Sequence, residues 1–398
     1  MIIRREITPY LENLATQFPV VAVMGPRQSG KTTLVKAVFV QHAYVSLEDL
    51  DHRMAAKEDP RGFLASFPNQ SGLIIDEIQE VPELLSYMQG IVDQAYRPGW
   101  FIITGSQNFL LHEKISQTLA GRIALLTLLP LTVNELSAAK LLPEDLHQVL
   151  LTGFYPRLYS QNIDLVSWCN NYISTYIERD VRQVLQISNI LAFQRFMKLC
   201  AARVGNLLNY ANLAADADIS QHTAKAWLSI LEASYIIKLL PPYHGNFNKR
   251  VIKTPKLYFY DTALVCALLG IKTIEDLQLN PFKRGIFESF VISECFKYNY
   301  NHNDLPQLYF WRDVQGHEID LMIEKSFGQV VPIEVKSGMT VTQDLFRGLN
   351  DWRELIKDQT AITYLIYGGQ NYLQIKQNFI YPWFKITELL AIIYASRF

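Results

Sequence analysis

Apolar residues occur in short continuous runs, and these runs alternate with segments that have the spacing of helices. The clearest runs are Val20–Met24, Leu73–Ile75 and Trp100–Thr104, which we interpret as buried strands. Ala43–Asp49 alternates like a further strand, whereas Arg53–Phe67 is helical in pattern. The first third of the chain is therefore predicted to alternate strands with helices.

The later part of the chain changes pattern twice. From Pro143 onward the spacing is mostly helical, and a long apolar helix is predicted over Lys283–Tyr298. Strand-like segments follow, and then a helix over Leu345–Ile356 and a strand over Tyr364–Tyr367. The remaining tail, to Phe398, is aromatic and is predicted to be helical. A chain of 398 residues is long enough for two or more domains of about 100–200 residues each.

The first buried strand runs directly into GPRQSGKTT, which has the complete spacing of a phosphate-binding loop. Its glycines allow a turn in which successive N–H groups face an anion, and the next helix adds its positive end. We predict that Lys31 reaches the β- and γ-phosphates of a nucleotide and that Thr32 binds Mg²⁺. The predicted nucleotide-binding residues are Gly25, Pro26, Arg27, Gln28, Ser29, Gly30, Lys31, Thr32 and Thr33.

Two carboxylates end the second buried strand, in LIIDEIQ. Asp76 is predicted to hold Mg²⁺ through water, and Glu77 to orient or deprotonate the attacking water. The third run ends in small polar residues, so Ser106, Gln107 or Asn108 is expected to contact the γ-phosphate or that water. The sequence alone leaves the choice among these three open.

Arg122 stands just before another apolar run, in LAGRIALLTLLPLT. An arginine there can point toward the nucleotide of a neighbouring subunit and act as an arginine finger. The sequence therefore predicts a homo-oligomer with shared active sites, and the alternative is an ordinary surface arginine.

These motifs, in this order and spacing, resemble the AAA+-type ATPase domain of a widespread prokaryotic family over Met1–Leu136. The resemblance implies a P-loop NTPase of the additional-strand catalytic-glutamate type, with a parallel sheet and helices on both faces. It also implies ATP and Mg²⁺ as cofactors. In that family a helical segment and a C-terminal domain of unknown function follow.

The middle of the chain is predicted to hold a helical lid and a DNA-contacting module. Gly153 and Pro156 resemble the pair by which related NTPases close a lid over adenine, although a helix–helix turn is an equal alternative. The helices of Asn209–Leu240 and the basic hairpin after them resemble a winged helix. The residues of that module expected to face DNA are His222, Thr223 and Lys225. Winged helices also serve as protein-binding modules, so a protein partner is the alternative.

The C-terminal region carries carboxylates and a lysine in a pattern that suits a metal-dependent phosphodiesterase. Glu334 and Lys336 lie two residues apart on one strand face, and Asp320 lies on the predicted neighbouring strand of a hairpin. With Glu288 from the preceding helix, the set resembles the PD-(D/E)XK nuclease superfamily over Phe282–Tyr367. The resemblance implies an α/β restriction-endonuclease-like domain in which Glu288, Asp320 and Glu334 bind metal. Lys336 would then be catalytic.

Composition adds three limits. The formal net charge is −1, so any contact with DNA has to be local. Four scattered cysteines without a C-x-x-C pair argue against disulfides or a zinc site. No apolar run approaches the roughly 18 residues of a membrane span, and the N-terminus lacks a signal-peptide core, which predicts a cytoplasmic protein.

The sequence thus predicts an ATPase domain (residues 1–140), a helical lid (141–205), a winged helix (206–262) and a nuclease-like domain (263–398). The leading hypothesis is an ATPase whose nucleotide state controls DNA binding and DNA cleavage. The alternative is a regulatory nucleotide switch that assembles on DNA or a protein partner and whose nuclease-like fold is catalytically silent.

Overall fold

The structure is a computed structural model, which describes residues 2–67, 72–106, 118–176, 189–244, 253–326 and 328–395. Two candidate sensors, Gln107 and Asn108, lie outside these ranges, and so do residues 245–252 of the predicted basic hairpin. For them the sequence-based predictions stand as they are.

Five strands form the sheet of the N-terminal region. They are β1 (Val20–Gly25), β2 (Ala43–Ser46), β3 (Leu73–Asp76), β4 (Phe101–Ser106) and β5 (Ile123–Thr127). The spatial order is β2-β3-β4-β1-β5, and every pairing is parallel. Strand β4 lies between the phosphate-loop strand β1 and the carboxylate strand β3, which is the additional strand that the predicted class requires. The P-loop NTPase fold with its parallel sheet is confirmed.

Helices cover both faces of this sheet. They are α1 (Thr8–Ala15), α2 (Lys31–Val38), α3 (Leu50–Glu58), α4 (Pro60–Ala65), α5 (Leu84–Gln94) and α6 (Val133–Ala138). Alternate residues of β1 enter two separate apolar clusters, one on each face of the sheet. Strand β1 therefore needs a continuous apolar run, because both of its faces are buried against apolar side chains.

The middle region is helical and ends in a β-hairpin. Its helices are α7 (Leu146–Thr152), α8 (Pro156–Ser160), α9 (Leu165–Tyr176), α10 (Ile190–Ala201), α11 (Tyr210–Ala217) and α12 (Gln221–Ala233). Strands β6 (Ile237–Leu240) and β7 (Lys256–Phe259) pair antiparallel. Ser220 caps α12 as predicted, since its Oγ accepts a 3.0 Å hydrogen bond from the Thr223 N–H.

The C-terminal region contains a six-stranded mixed sheet. Its helices are α13 (Thr262–Leu268), α14 (Ile274–Leu279), α15 (Lys283–Asn301), α16 (Arg347–Ile356) and α17 (Ile386–Ala395). Its strands are β8 (Leu308–Arg312), β9 (Glu318–Ser326), β10 (Gln329–Lys336), β11 (Thr363–Tyr367), β12 (Leu373–Ile375) and β13 (Asn378–Pro382). The spatial order is β12-β13-β11-β10-β9-β8.

Two predictions about this region have different outcomes. The hairpin that joins the Asp320 strand to the Glu334 strand is confirmed, because β9 and β10 pair antiparallel. The prediction of a wholly helical tail is wrong, since residues 373–382 hold β12 and β13. Strand β13 pairs in parallel with β11, a distant contact that local sequence pattern does not report.

The middle and C-terminal regions share one apolar core. A single cluster includes Phe193 of α10, Trp227 of α12, Phe290 of α15 and Ile393 of α17. The core crosses the predicted boundaries at 205 and 262. The predicted lid, winged helix and C-terminal domain therefore pack against one another instead of forming separate cores. None of the described helices is long and apolar enough to cross a lipid bilayer.

Candidate functional site

The phosphate loop connects β1 to α2 with the backbone that its glycines permit. Gly30 precedes α2 with a φ of 95°, and Gln28 has a φ of 61°. A Cβ on Gly25 would collide with the carbonyl oxygen of Leu128. The loop therefore requires glycine at position 25 as well as at position 30.

Replacing Gly25 with alanine is expected to weaken ATP binding strongly, because the collision and the φ of 151° would distort the loop. Strain of this kind costs on the order of 1–3 kcal/mol. Titration with a fluorescent ATP analogue would measure the loss. Gly90→Ala in α5 is the matched control, since nothing lies within 4 Å of its added Cβ. Unchanged affinity in Gly25→Ala would contradict this reading of the loop.

The Lys31 ammonium is buried and folded back onto its own loop. Its Nζ donates to the carbonyl oxygens of Gly25, at 3.0 Å, and Pro26, at 2.8 Å. The Ser29 carbonyl accepts a 2.8 Å hydrogen bond from Arg5 Nη1, which fixes the loop from the side of the N-terminal segment. The charge of Lys31 thus stands at the centre of the loop, where a bound phosphate would lie.

Thr32 and Asp76 meet, as the two motifs predict. Thr32 Oγ1 lies 3.0 Å from each carboxylate oxygen of Asp76, and the Thr104 hydroxyl also donates to Asp76. The Tyr44 hydroxyl donates to Asp76 at 3.0 Å. Burial, and then the charge of Asp76, raise the pKa of Tyr44 to about 12, so it stays a neutral donor. A hydroxyl and a carboxylate side by side are a donor set that fits Mg²⁺.

Glu77 occupies a left-handed turn at the end of β3, with a φ of 57°. Burial acts to raise its pKa, but the charge of Lys31 and a hydrogen bond from Gln79 outweigh that effect and lower the pKa. Gln79 Nε2 also lies 3.3 Å from the Ser106 hydroxyl. Glu77 is therefore held as an ionised carboxylate beside the phosphate loop, where it can accept a proton from water.

The ends of β1 and β4 bring Ser106 next to the loop, because Gly25 and Ser106 are register partners. Of the three candidate sensors, Ser106 is the one among the described residues. Three further residues of this site escaped the sequence analysis: Tyr44, Gln79 and Thr104. Gln79 lies within the LIIDEIQ motif, and Thr104 lies two residues before Ser106.

Arg122 lies at the opposite end of the sheet from its own phosphate loop. It precedes β5, and its carbonyl accepts a hydrogen bond from the Val20 N–H at the start of β1. Its exposed guanidinium makes two hydrogen bonds to the carboxylate of Asp93 in α5, and the first of these raises its pKa. Within one chain Arg122 therefore does not contact the nucleotide site.

A cavity of about 400 Å³ adjoins the phosphate loop. Apolar side chains form much of its wall, including Ile2, Ile3, Leu34 and Pro156. Thr33 also lines it, so the cavity begins where the loop ends and has the lining that suits a nucleoside base. Of the predicted lid pair only Pro156 reaches this cavity.

Helix α9 packs directly against the phosphate loop. Trp168 Nε1 donates to Gln28 Oε1 at 3.0 Å, and the Tyr172 hydroxyl lies 3.5 Å from the Arg27 carbonyl oxygen. Sequence analysis assigned no such contact to this helix. The loop and the helical segment are thus linked by hydrogen bonds in the described structure.

The four predicted residues of the C-terminal set line one cavity of about 730 Å³. Lys336 Nζ lies 3.0 Å from Asp320 Oδ2 and 2.5 Å from Glu334 Oε2. Glu288, on α15, lines the same cavity. The structure therefore brings together Glu288, Asp320, Glu334 and Lys336.

The charges in this cavity are already balanced by side chains. Burial, and then the charge of Asp320, raise the pKa of Glu334 well above its ordinary value. Burial acts to raise the pKa of Asp320 as well, but the charge of Lys336 and a hydrogen bond with Glu334 lower it. The prediction that Lys256 belongs to the basic tip of the winged-helix hairpin is wrong, because its side chain is buried and contacts Glu288 and Asp320 of this set.

We asked whether the carboxylates fit a metal ion. Within the described ranges no three His, Cys, Asp or Glu side chains are arranged to hold one. Glu288 is bonded by Arg284 at 2.8 Å, and Asp320 is bonded by Lys336. Metal binding by Glu288, Asp320 and Glu334 stays a prediction, and this arrangement does not favour it.

Comparison with known families divides the chain in three. An AAA domain family matches residues 17–137. Two domains of unknown function match the remainder, DUF8612 at residues 143–275 and DUF4143 at residues 283–386.

The curated relatives match nearly the full length. Uncharacterized protein Rv2008c of Mycobacterium tuberculosis is 31% identical over 376 residues, which cover 93% of this chain and 81% of that one. Uncharacterized protein Mb2031c of Mycobacterium bovis matches with the same values.

The chain is also similar to two solved structures. The Walker-type ATPase PABY2304 of Pyrococcus abyssi is 16% identical with a TM-score of 0.43, covering 67% of this chain and 96% of that one. AMPPCP-bound DnaA from Aquifex aeolicus is 15% identical with a TM-score of 0.30, covering 57% of this chain and 85% of that one.

The parallel sheet, the phosphate loop, the Thr32–Asp76 pair and the AAA domain match together define an AAA-type P-loop ATPase, with ATP as its nucleotide. The chain belongs to the same family as the two uncharacterized mycobacterial proteins.

Proposed function

We propose that this protein is a Mg²⁺-dependent ATPase that hydrolyses ATP and couples its nucleotide state to DNA binding. The observation that carries the hydrolysis proposal is Glu77, a half-buried carboxylate held in its charged form beside Lys31. Nucleotide binding alone does not need such a group, whereas activating a water does. Mg²⁺ held by Thr32 and Asp76 would supply charge neutralisation at the phosphates.

The residues of this chain then have distinct tasks. When ATP binds, the Lys31 ammonium breaks its hydrogen bonds to the loop carbonyl oxygens and binds the β- and γ-phosphates instead. Glu77 orients the attacking water and accepts its proton, and Gln79 holds Glu77 in place. Ser106 lies beside Gln79, in position to contact the γ-phosphate or the water. The base occupies the cavity beside Thr33 and Pro156.

The ATPase is proposed to work as a homo-oligomer in which Arg122 completes the site of a neighbour. Its location at the far end of the sheet from its own loop supports action in trans. In the single chain Asp93 holds the guanidinium, so assembly would exchange this surface ion pair for a phosphate. Surface ion pairs of this kind contribute little to stability, so breaking the Arg122–Asp93 pair would cost little free energy.

Arg122→Ala is expected to lower ATP turnover by about 10³-fold or more and to leave ATP binding nearly unchanged. Steady-state hydrolysis across a range of protein concentrations measures the first, and ATP titration measures the second. Arg97→Ala, on the same side of the domain, is the control. The proposed arginine finger would be contradicted if ATPase activity per subunit did not change on dilution and did not need Arg122.

DNA binding is proposed for the segment α10–α12 with β6–β7, whose order of elements is that of a winged helix. An isolated antiparallel bridge between Leu207 and Lys256 lies beside this two-stranded sheet, at the place where such modules have a third strand. On α12, His222 and Lys225 are exposed, while Thr223 is half-buried and bonded to its capping serine. The exposed pair lies on α12, the second helix of the helix–turn–helix formed by α11 and α12, and this supports contact with a DNA groove.

The double variant His222→Ala/Lys225→Ala is expected to bind a labelled DNA duplex about tenfold more weakly and with a salt slope reduced by about 1. Fluorescence anisotropy at several salt concentrations, with and without ATP, measures both. Lys272→Ala, an exposed lysine before α14, is the control. Equal binding by the double variant would favour a protein partner for this module.

DNA cleavage by the C-terminal cavity is the second candidate function. One observation favours it, since the four residues of the nuclease-like set meet in a single cavity. The balanced charges of that cavity favour the alternative, a silent nuclease-like fold within a nucleotide switch. Incubation of plasmid DNA with Mg²⁺ separates the two, with ATP, without it and with a non-hydrolysable analogue. Cleavage that Asp320→Ala and Lys336→Ala both abolish would establish the nuclease.

A further inference from the structure

The cavity between β7, β9 and α15 already contains a cation, the ammonium of Lys256. Lys256 is only 2% exposed although it is a lysine. Its Nζ lies 2.5 Å from Glu318 Oε1 and 3.9 Å from both Glu288 Oε2 and Asp320 Oδ1. One buried ammonium thus faces carboxylates from two different elements, α15 and β9.

A divalent ion shared by these three carboxylates would have to take the place of the ammonium. Mg²⁺ requires carboxylate oxygens at about 2.1 Å in an octahedral shell. Three carboxylates that converge on one point could supply such oxygens, but here Nζ occupies the point of convergence. An ion could enter only if the lysine side chain left.

The charges of the side chains around this cavity also disfavour a bound divalent ion. Four carboxylates of the cavity, those of Glu288, Glu318, Asp320 and Glu334, face four cationic side chains: Lys256, Arg284, Arg312 and Lys336. A dication added to this set would meet no excess negative charge, and charges of like sign repel strongly in a partly buried cavity. Buried carboxylates need a partner in any case, and Lys256 supplies it without a metal.

We infer that Lys256 is a built-in counterion that closes a latent divalent-cation site formed by Glu288, Glu318 and Asp320. Because Lys256 belongs to β7, the hairpin of the middle region decides whether this site is closed. The backbone supports that link, since the Gly205 N–H donates to the Leu257 carbonyl oxygen at 2.8 Å beside it. The inference goes beyond the proposed ATPase and DNA-binding functions and does not depend on either.

Binding of Mn²⁺ to the full chain without nucleotide tests the inference. We would follow it by electron paramagnetic resonance, in an Asp76→Asn background that removes the ATPase-site carboxylate. The first comparison is the chain with Lys256 intact against the same chain with Asp320→Asn. Equal Mn²⁺ binding is expected, because the closed site takes no metal. A Mn²⁺ site that Asp320→Asn removes from the Lys256-containing chain would overturn the inference.

Lys256→Met is the second comparison, since methionine keeps most of the volume and removes the charge. This variant is expected to gain a Mn²⁺ site at least about tenfold tighter than any in its parent, because the carboxylates of the cavity then outnumber the cations that face them. Adding Asp320→Asn should abolish the gained site. Lys256→Arg keeps the charge and should behave like the parent.

Lys256→Met leaves an excess of buried negative charge and could fold poorly, so a second variant, Lys256→Met/Glu318→Gln, removes both partners of the Lys256–Glu318 ion pair. A folded variant of either kind that gains no Mn²⁺ site would refute the inference. ATP hydrolysis, measured in parallel in chains with Asp76 intact, separates this failure from a failure of the proposed function. Methionine keeps most of the volume of lysine. A Mn²⁺ site that is present in Lys256→Met and absent in Lys256→Arg would therefore assign the effect to charge rather than to space.

Discussion

Glu77→Gln is expected to lower ATP turnover by about 10²–10⁴-fold while ATP binds almost as tightly as before. Glutamine keeps the size and the hydrogen bonding of the side chain but cannot accept a proton from water. In the structure the carboxylate of Glu77 is kept ionised against burial by Lys31 and Gln79. The substitution therefore removes the one property that distinguishes hydrolysis from binding.

Single-turnover hydrolysis and ATP titration together check this expectation. Glu80→Gln is the matched control, because Glu80 is three residues away and pairs with Arg53 at 3.3 Å instead of approaching the loop. Its turnover should remain near that of the unmodified protein. Hydrolysis at an undiminished rate in Glu77→Gln would mean that another group activates the water.

Lys297→Met is expected to destabilise the folded protein by about 3–5 kcal/mol, the usual effect of breaking a buried ion pair. Lys297 is 1% exposed, and its Nζ lies 2.8 Å from both Glu294 Oε1 and the Leu131 carbonyl oxygen. It also stands 3.9 Å from the centre of the Phe154 ring. Methionine would leave Glu294 buried without its partner and would leave the Leu131 carbonyl unsatisfied.

Urea denaturation of Lys297→Met and of Lys297→Met/Glu294→Gln measures this effect. The double variant should recover part of the loss, because a neutral amide costs less to bury than an unpaired carboxylate. Lys198→Met, an exposed lysine on α10, should have little effect. If the single and double variants lose equal stability, the ion pair is not the cause.

The pH dependence of the same variant follows from the pKa of Glu294. Burial raises this pKa, and the charge of Lys297 lowers it in part. Without Lys297 the pKa in the folded protein rises further above its unfolded value. The loss of unfolding free energy in Lys297→Met should therefore be smaller at low pH, where Glu294 is protonated in both the folded and the unfolded state. This loss should grow as the pH rises.

Glu294 also lies between the ATPase region and the C-terminal region that holds the carboxylate cavity. Its Oε2 accepts a 2.9 Å hydrogen bond from the Val133 N–H at the start of α6. On that helix Glu135 pairs with Arg5, which in turn bonds the phosphate loop at Ser29. Helix α15, which carries Glu294, also carries Glu288 into the C-terminal cavity. Hydrogen bonds and the helices α6 and α15 thus form a contiguous path from the loop to that cavity, and the variants above would test whether nucleotide state is transmitted along it.

Sequence alone determined the parts of the site that a local backbone requirement fixes. The loop from Gly25 to Thr32 needs glycines where no Cβ fits, and Asp76 and Glu77 follow a strand whose apolar run is buried on both faces. The hairpin that holds Asp320 opposite Glu334 was predictable for the same reason, since strand spacing sets which side chains share a face.

Only the tertiary structure decided which distant groups compensate these charges. Tyr44 reaches Asp76 from a neighbouring strand, and Lys256 meets Glu318 across 62 positions of sequence. Strand β13, in a tail expected to be helical, was likewise set by its pairing with β11. Motifs report residues whose own backbone must take one conformation. The partner of a buried charge depends instead on how whole elements pack, because any strand or helix that delivers a cation to the right point satisfies the same electrostatic need.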